Sequence, residues 1–308
     1  MRRMSDETLV RLRKAKAVLK KRLQGHPDVI AVGIGYRERR GNIVQRGCIR
    51  IHVRKKFALD ALPPELRLPT TIRGVPIDVV ESSFVAHTTN PANRCDPLLG
   101  GIVVTGERSF AATGKVGTVG CVVSPLGAPL LLSCWHVLYG PTGKDGDTVV
   151  QPRPAGTLNN IGKNLVGIFN DRVDCAVAEL DISRGTSPTI LGIPQAVLTT
   201  TSARPGLLVR KSGANGLGLG VIIGTESDPV VAVGGAPRTF IDQIEIVPRP
   251  GHQTQFKTGE MDSGALWVSD DDGRIIGLHF AGSPGRALAN PIAAVVEALA
   301  DRGISLGF

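Results

Sequence analysis

The chain has 308 residues and a formal net charge of +9, with 38 Gly, 21 Pro and only 4% aromatic residues. That length supports one large domain or two modest ones with a full core, and this much Gly and Pro favours many short strands and turns over long helices. No apolar run approaches the ~20 residues needed to cross a bilayer. Met1 to Glu7 leads into a charged segment rather than an apolar signal core, so a soluble, cytoplasmic protein is expected.

Leu9, Leu12, Leu19 and Leu23 recur at helical spacing through a Lys/Arg-rich segment. They predict an amphipathic helix over 6–24 within a basic segment 1–26, ending near Gly25-His26-Pro27. Val29 to Gly35 reads as a strand, followed by a turn at Arg40-Gly41-Asn42. Ile49, Ile51 and Val53 alternate with Arg50, His52 and Arg54, which gives a half-buried strand with a basic outer face. Prolines at 63, 64 and 69 interrupt the pattern and Val75 to Val80 resumes it, so residues 27–95 read as a small α+β unit with a linker at 87–93. The charge is concentrated here. Residues 1–60 hold 17 Lys and Arg against 5 Asp and Glu, while the rest holds 19 against 22. Such a front end suits an acidic partner or nucleic acid, or simply a solvated helix face beside an edge strand. The first charge cluster has no interleaved aromatics, which weakens a single-strand stacking role.

The five cysteines (48, 95, 121, 134 and 175) are odd in number and form no Cys-x-x-Cys, so reduced thiols are expected and no metal site or cofactor is read from them. From about residue 100 the pattern changes to short strands divided by Gly/Pro turns. Strands are predicted at 116–123, 129–134, 147–151, 164–169, 173–180, 207–211, 219–224, 230–233, 239–247, 264–269 and 274–281. So many strands without intervening helices favour a sandwich or paired barrels. A helix over Pro291 to Arg302 closes the chain, with Ile292, Val295, Val296 and Leu299 on one face.

Three segments carry chemistry. In Gly259-Glu260-Met261-Asp262-Ser263-Gly264-Ala265 a tight loop enters an apolar strand and presents one hydroxyl beside free backbone N–H groups. A serine hydroxyl is a poor nucleophile until a base takes its proton. His136 follows the apolar run Leu130-Leu131-Leu132-Ser133, and Asp174 heads the strand Cys175-Ala176-Val177-Ala178. An aspartate there can accept from one ring nitrogen of a histidine, fix its tautomer and leave the other nitrogen for the serine proton. N–H groups near Ser263 would then stabilise an oxyanion.

On these segments the chain resembles the trypsin-like, chymotrypsin-fold serine peptidases. More specifically it resembles intracellular bacterial trypsin-like proteins related to the plant narrow-leaf type. The residues that carry the narrower likeness are Gly117-Thr118-Val119-Gly120-Cys121, Leu132 to Leu138, Gly277 to Ser283, Ala289-Asn290-Pro291-Ile292, and the run Val29 to Arg54 followed by Gly74 to Val80. The resemblance implies a mainly β fold: two six-stranded β-barrels with a C-terminal helix over 96–308, preceded by the small α+β domain. It implies a serine endopeptidase acting on protein or peptide through an acyl-enzyme. His136 is then general base, Asp174 its orienter and Ser263 nucleophile, with the N–H groups of Met261 and Ser263 as oxyanion hole. Met261 stands where the family has glycine, a departure that bears on whether the hole is formed at rest. Gly101-Ile102-Val103-Val104 lacks the basic residue that precedes the activation terminus of the digestive enzymes.

Specificity is implied by the same resemblance. Lys257 occupies the place of the acidic residue that binds Lys or Arg side chains in trypsin-like enzymes. Thr258, His279 and Gly282 are similar to the pocket of glutamyl peptidases, which implies cleavage after Glu or Gln. Two loops are read as plain turns: Gly213 to Gly220 lacks the Gly-Lys-[Ser/Thr] ending of a phosphate loop, and Asp270-Asp271-Asp272-Gly273 lacks spaced calcium ligands. The alternatives are an inactive peptidase-fold binding or scaffold protein, and a nucleic-acid-responsive protease sensed through residues 1–60. A homo-oligomer is compatible with each.

Overall fold

The computed structural model describes residues 4–39, 42–57, 61–82, 90–181, 183–193, 196–233 and 235–308. The expected turn at 40–41 and residues 87–89 of the expected linker lie outside them. The chain divides into two compact units, Met1–Ala86 and His87–Phe308. Among the described residues no helix is long and apolar enough to cross a membrane.

In the first unit, helix α1 (Asp6–Arg22) starts at Ser5, whose Oγ accepts the Thr8 N–H at 3.3 Å. Acidic Asp6 and Glu7 open it and Lys20, Lys21 and Arg22 close it, both in the sense the helix dipole favours. Leu12, Ala15 and Leu19 are its buried face. They pack on a sheet of β1 (Val29–Arg39), β2 (Asn42–Val53), β3 (Thr71–Ile72) and β4 (Val75–Glu81) in the order β1-β2-β4-β3. The strand that carries Arg50 and His52 is therefore central rather than at the edge, paired antiparallel to β1 and parallel to β4.

The second unit is mainly β and holds two barrels. In the first, the strands run in the order Val103–Gly106, Thr148–Val150, Asn160–Phe169, Asp174–Leu180 and Leu130–Ser133. Gly117–Thr118 pairs at one end and Cys121–Val123 at the other. These two are halves of one bent strand, so the sheet closes on itself as a six-stranded barrel. The second barrel takes Leu208–Gly213, Gly216–Ser227, Gln243–Pro248, Arg286–Pro291, Arg274–Ser283 and Leu266–Ser269, closed by the pairing of Arg274–Ser283 with Arg286–Pro291. Val197–Thr200 adds in parallel to this barrel. The helix Ile292–Ala300 follows, with Ile292, Val295 and Leu299 buried. This is the chymotrypsin-like architecture.

Every strand expected from the sequence overlaps an observed one. The sequence reading lacks Leu98–Gly100, Val103–Gly106, Thr186–Ile190, Val197–Thr200 and Arg286–Pro291, and a helix at Glu107–Thr113. The two loops read as turns are hairpin connections, Gly213 to Gly216 in one strand pair and 270–273 in the next. None of the five cysteines is paired, and all are buried.

Candidate active site

The apolar strand Leu130–Ser133 delivers the chain through buried Cys134 into a short helix, Trp135–Leu138, that carries His136. Its antiparallel neighbour aligns Ala176 with Ser133. Two residues upstream of Ala176, at the head of that neighbour, the Asp174 carboxylate comes level with His136. Asp174 Oδ2 lies 2.5 Å from His136 Nδ1, and Oδ1 accepts the His136 backbone N–H at 3.2 Å. The carboxylate is 2% exposed and the imidazole 31%, so the ring is open on one side and its partner is sealed behind it. Burial alone would lower the His136 pKa, but the charge and hydrogen bond of Asp174 outweigh it and hold the value above the ordinary 6.5.

The second barrel fixes Asp174 from behind. The Asp174 N–H donates to Asn290 Oδ1 at 3.0 Å, Asn290 Nδ2 donates to Gln243 Oε1 at 2.6 Å, and Gln243 Nε2 donates to the Arg172 carbonyl at 2.9 Å. Asn290 and Gln243 are fully buried, and each amide has the partners burial demands.

Ser263 lies at the end of a turn held by its neighbour. Asp262, fully buried, accepts from the Gly259 N–H at 3.0 Å, the Asn215 N–H at 3.1 Å and Asn215 Nδ2 at 3.0 Å, and pairs with Lys211 Nζ at 2.8 Å. The Thr118 N–H donates to the Ser263 carbonyl at 2.8 Å and Thr118 Oγ1 to the Met261 carbonyl at 2.8 Å, which ties the turn to the first barrel. Gly264 has φ +98°, and a Cβ there would stand 2.1 Å from the Thr118 carbonyl oxygen, so only glycine fits.

Residues Glu260–Asp262 form a 3-10 turn, with the Asp262 N–H on the Gly259 carbonyl at 3.0 Å. At its C-terminal end no hydrogen bond runs from the Ser263 N–H to the Glu260 carbonyl. Met261, 36% exposed, is not among the residues with positive φ. The expected oxyanion donors therefore sit in a short 3-10 turn whose Asp262 N–H is engaged. Ser263 Oγ donates to the Phe280 carbonyl at 3.2 Å, and no hydrogen bond joins it to His136.

Of the residues expected to read substrate, His279 lies against this turn. The Gly264 N–H donates to its carbonyl at 2.8 Å, as does the Cys134 thiol at 3.3 Å. Its ring is buried and accepts from Trp267 Nε1 at Nδ1, 3.4 Å. Burial, with the charge of Lys211 added, lowers its pKa to about 3. His279 is thus a neutral imidazole whose Nδ1 is an acceptor and whose proton sits on Nε2. Thr258 is half-buried, and Lys257 and Gly282 are exposed. No hydrogen bond or ion pair among the described residues joins Lys257, Thr258 or Gly282 to His279.

Cys134 Sγ, His136 and Asp174 offer ligand atoms within 4.8 Å of one another, a grouping the cysteine spacing does not reveal. Burial holds the Cys134 thiol well above its ordinary pKa, and Asp174 is already committed to His136, so these residues are arranged as a hydrogen-bonded pair over a neutral thiol. Lys211, Asn215, Thr118 and Gln243 have no part in the sequence-based site. Lys211 and Gln243 lie outside the motifs, and Thr118 and Asn215 lie in segments to which the sequence assigns no role in the site.

The chain matches no family model and no curated protein. It is similar in structure to serine proteases of trypsin/chymotrypsin fold at low sequence identity. One is Thermobifida fusca protease A, with 17% identity, a TM-score of 0.47, and 66% of this chain and 95% of that one covered. A glutamic-acid-specific serine protease that uses a histidine triad in substrate binding has 17% identity and a TM-score of 0.49, with 68% and 100% covered. Cellulomonas bogoriensis chymotrypsin has 19% identity and a TM-score of 0.46, with 66% and 95% covered.

Proposed function

We propose that the second unit is a serine endopeptidase of the intracellular bacterial trypsin-like type. The observation that carries this reading is the His136–Asp174 pair, 2.5 Å between Nδ1 and Oδ2, facing the barrel that presents Ser263. His136 takes the Ser263 proton as the hydroxyl attacks the peptide carbonyl. Asp174 holds the tautomer that exposes Nε2 and stabilises the imidazolium, which then protonates the leaving amine. Water deacylates the enzyme by the same route in reverse. The N–H groups of Met261 and Ser263 receive the oxyanion. The five unpaired thiols support a reducing compartment, the cytoplasm.

Cleavage after Glu or Gln is the specificity we propose. His279 supports it: a neutral ring with its proton on Nε2 offers one donor to a carboxylate or amide oxygen, backed by the Lys211 charge. Lys257 and Thr258 are the further residues that this reading assigns to the substrate side chain. A peptide library tests this, and dominant cleavage after Lys, Arg or large apolar residues would sink it.

The Ser263–Phe280 hydrogen bond, and Met261 where the resembled peptidases have glycine, favour a second reading, a peptidase fold that binds without cleaving. Fluorophosphonate labelling separates the two. A peptidase labels at Ser263 and loses the label in Ser263→Ala and His136→Ala; a binding module is not labelled under any condition.

A further inference from the structure

Beyond the peptidase site, the first unit carries a surface with the shape and charge of a peptide groove. β1 is the terminal strand of its sheet, and among the described residues no strand pairs with its outer edge. Its core-facing Val29, Val32 and Ile34 stay half-exposed, whereas Ile49 and Ile51 of β2, under the same helix, are fully buried. Helix α1 packs against β1 and β2. Between α1 and β1 runs a groove of about 740 Å³, floored by Leu23, Val29 and Val32 and rimmed by Lys16, Lys20 and Lys21. None of the three lysines makes an ion pair or side-chain hydrogen bond among the described residues.

We propose that this groove binds an extended acidic peptide, which adds to β1 as a fifth strand. A free edge offers a row of backbone donors and acceptors that a strand satisfies. Alternate side chains of the added strand share one face of the sheet, so a peptide alternating apolar and acidic residues can set all its carboxylates on the α1 side, toward the lysines. A second copy of this chain fits less well, because edge-to-edge pairing would bring two lysine rims together. Nucleic acid fits less well too, since the lining has no aromatic ring for a base to stack on.

The experiment uses the full chain and a short fluorescent peptide of alternating glutamate and valine, followed by anisotropy. Binding is expected to weaken about tenfold when Lys16, Lys20 and Lys21 are changed together to Gln, and to fall with added salt. These positions lie outside the buried face of α1, and an unchanged thermal midpoint checks that the fold is kept. Methylating alternate backbone nitrogens of the peptide is expected to abolish binding without altering the protein. The proposal is overturned if the peptide does not bind, or if the methylated peptide binds equally well. It is also overturned if single-stranded DNA of equal charge binds as tightly, or if the edge is already closed by a dimer that the peptide does not dissociate.

Discussion

Lys211 Nζ and Asp262 Oδ2 face each other at 2.8 Å with neither side chain exposed. Asp262 directly precedes Ser263, so this ion pair holds the turn that leads into Ser263 from beneath. Burial lowers the Lys211 pKa and Asp262 acts against that lowering. Removing one partner of a buried pair strands the other charge, at a cost of about 3–5 kcal/mol. Lys211→Met is expected to lose stability on that order in denaturant unfolding and to lose Ser263 labelling. Adding Asp262→Asn is expected to restore much of the stability but not the labelling. A Lys211→Met protein that labels normally would show that the pair has no part in shaping the turn.

Met261, in the 3-10 turn Glu260–Asp262, predicts a gain of reactivity in Met261→Gly. Glycine eases the backbone rotation that would turn the residue 261 N–H toward substrate. One oxyanion donor is worth ~10²–10³ in turnover, so the labelling rate is expected to rise by a sizeable part of that range. An unchanged rate would mean that this rotation does not limit reaction.

The raised His136 pKa gives opposite pH signs to stability and to rate. Because the fold favours protonated His136, its contribution to stability is fully present below pH 6.5 and is lost as pH rises through the higher folded value. In the proposed mechanism the neutral ring takes the Ser263 proton, so reactivity is expected to rise through that same value. The acid limb of the labelling profile is expected above pH 6.5. In Asp174→Asn it is expected to move down, with turnover reduced by ~10⁴. An acid limb at the same pH in both proteins would assign the limb to another group.

His279 works in the reverse sense. Its folded pKa of about 3 lies below the unfolded 6.5, so it contributes stability above pH 6.5 that is lost as pH falls toward 3. That loss is on the order of a few kcal/mol for a shift of this size. His279→Gln is expected to flatten the pH dependence of unfolding between those values. A curve of unchanged slope would place the acid sensitivity elsewhere.

Much of this site is legible in the sequence because its parts are local. His136 sits at the end of an apolar run, Asp174 at the head of another, and Ser263 in a short glycine-bounded loop. Helix α1 is legible for the same reason, since leucine spacing and end charges lie within one element. Lys211 is not legible, because a lysine in an alternating strand reads as a surface residue until the fold buries it against Asp262. Arg286–Pro291 is missed because Ala and Asn are weak strand formers, and only the closure of the second barrel makes them a strand.

The glycines where the barrels meet have a further consequence. A Cβ at Gly117 would stand 2.6 Å from the Ser263 carbonyl oxygen, and one at Gly120 would stand 2.7 Å from that of Gly264. Main chain therefore lies directly on main chain along this seam, with no side chain between to yield. The barrels cannot part like a clamshell without breaking the Thr118–Ser263 hydrogen bond on which the Ser263 turn rests. Evolution of a new substrate range in this chain is accordingly confined to the loops around the cleft, while the seam acts as a fixed datum against which every such loop is gauged.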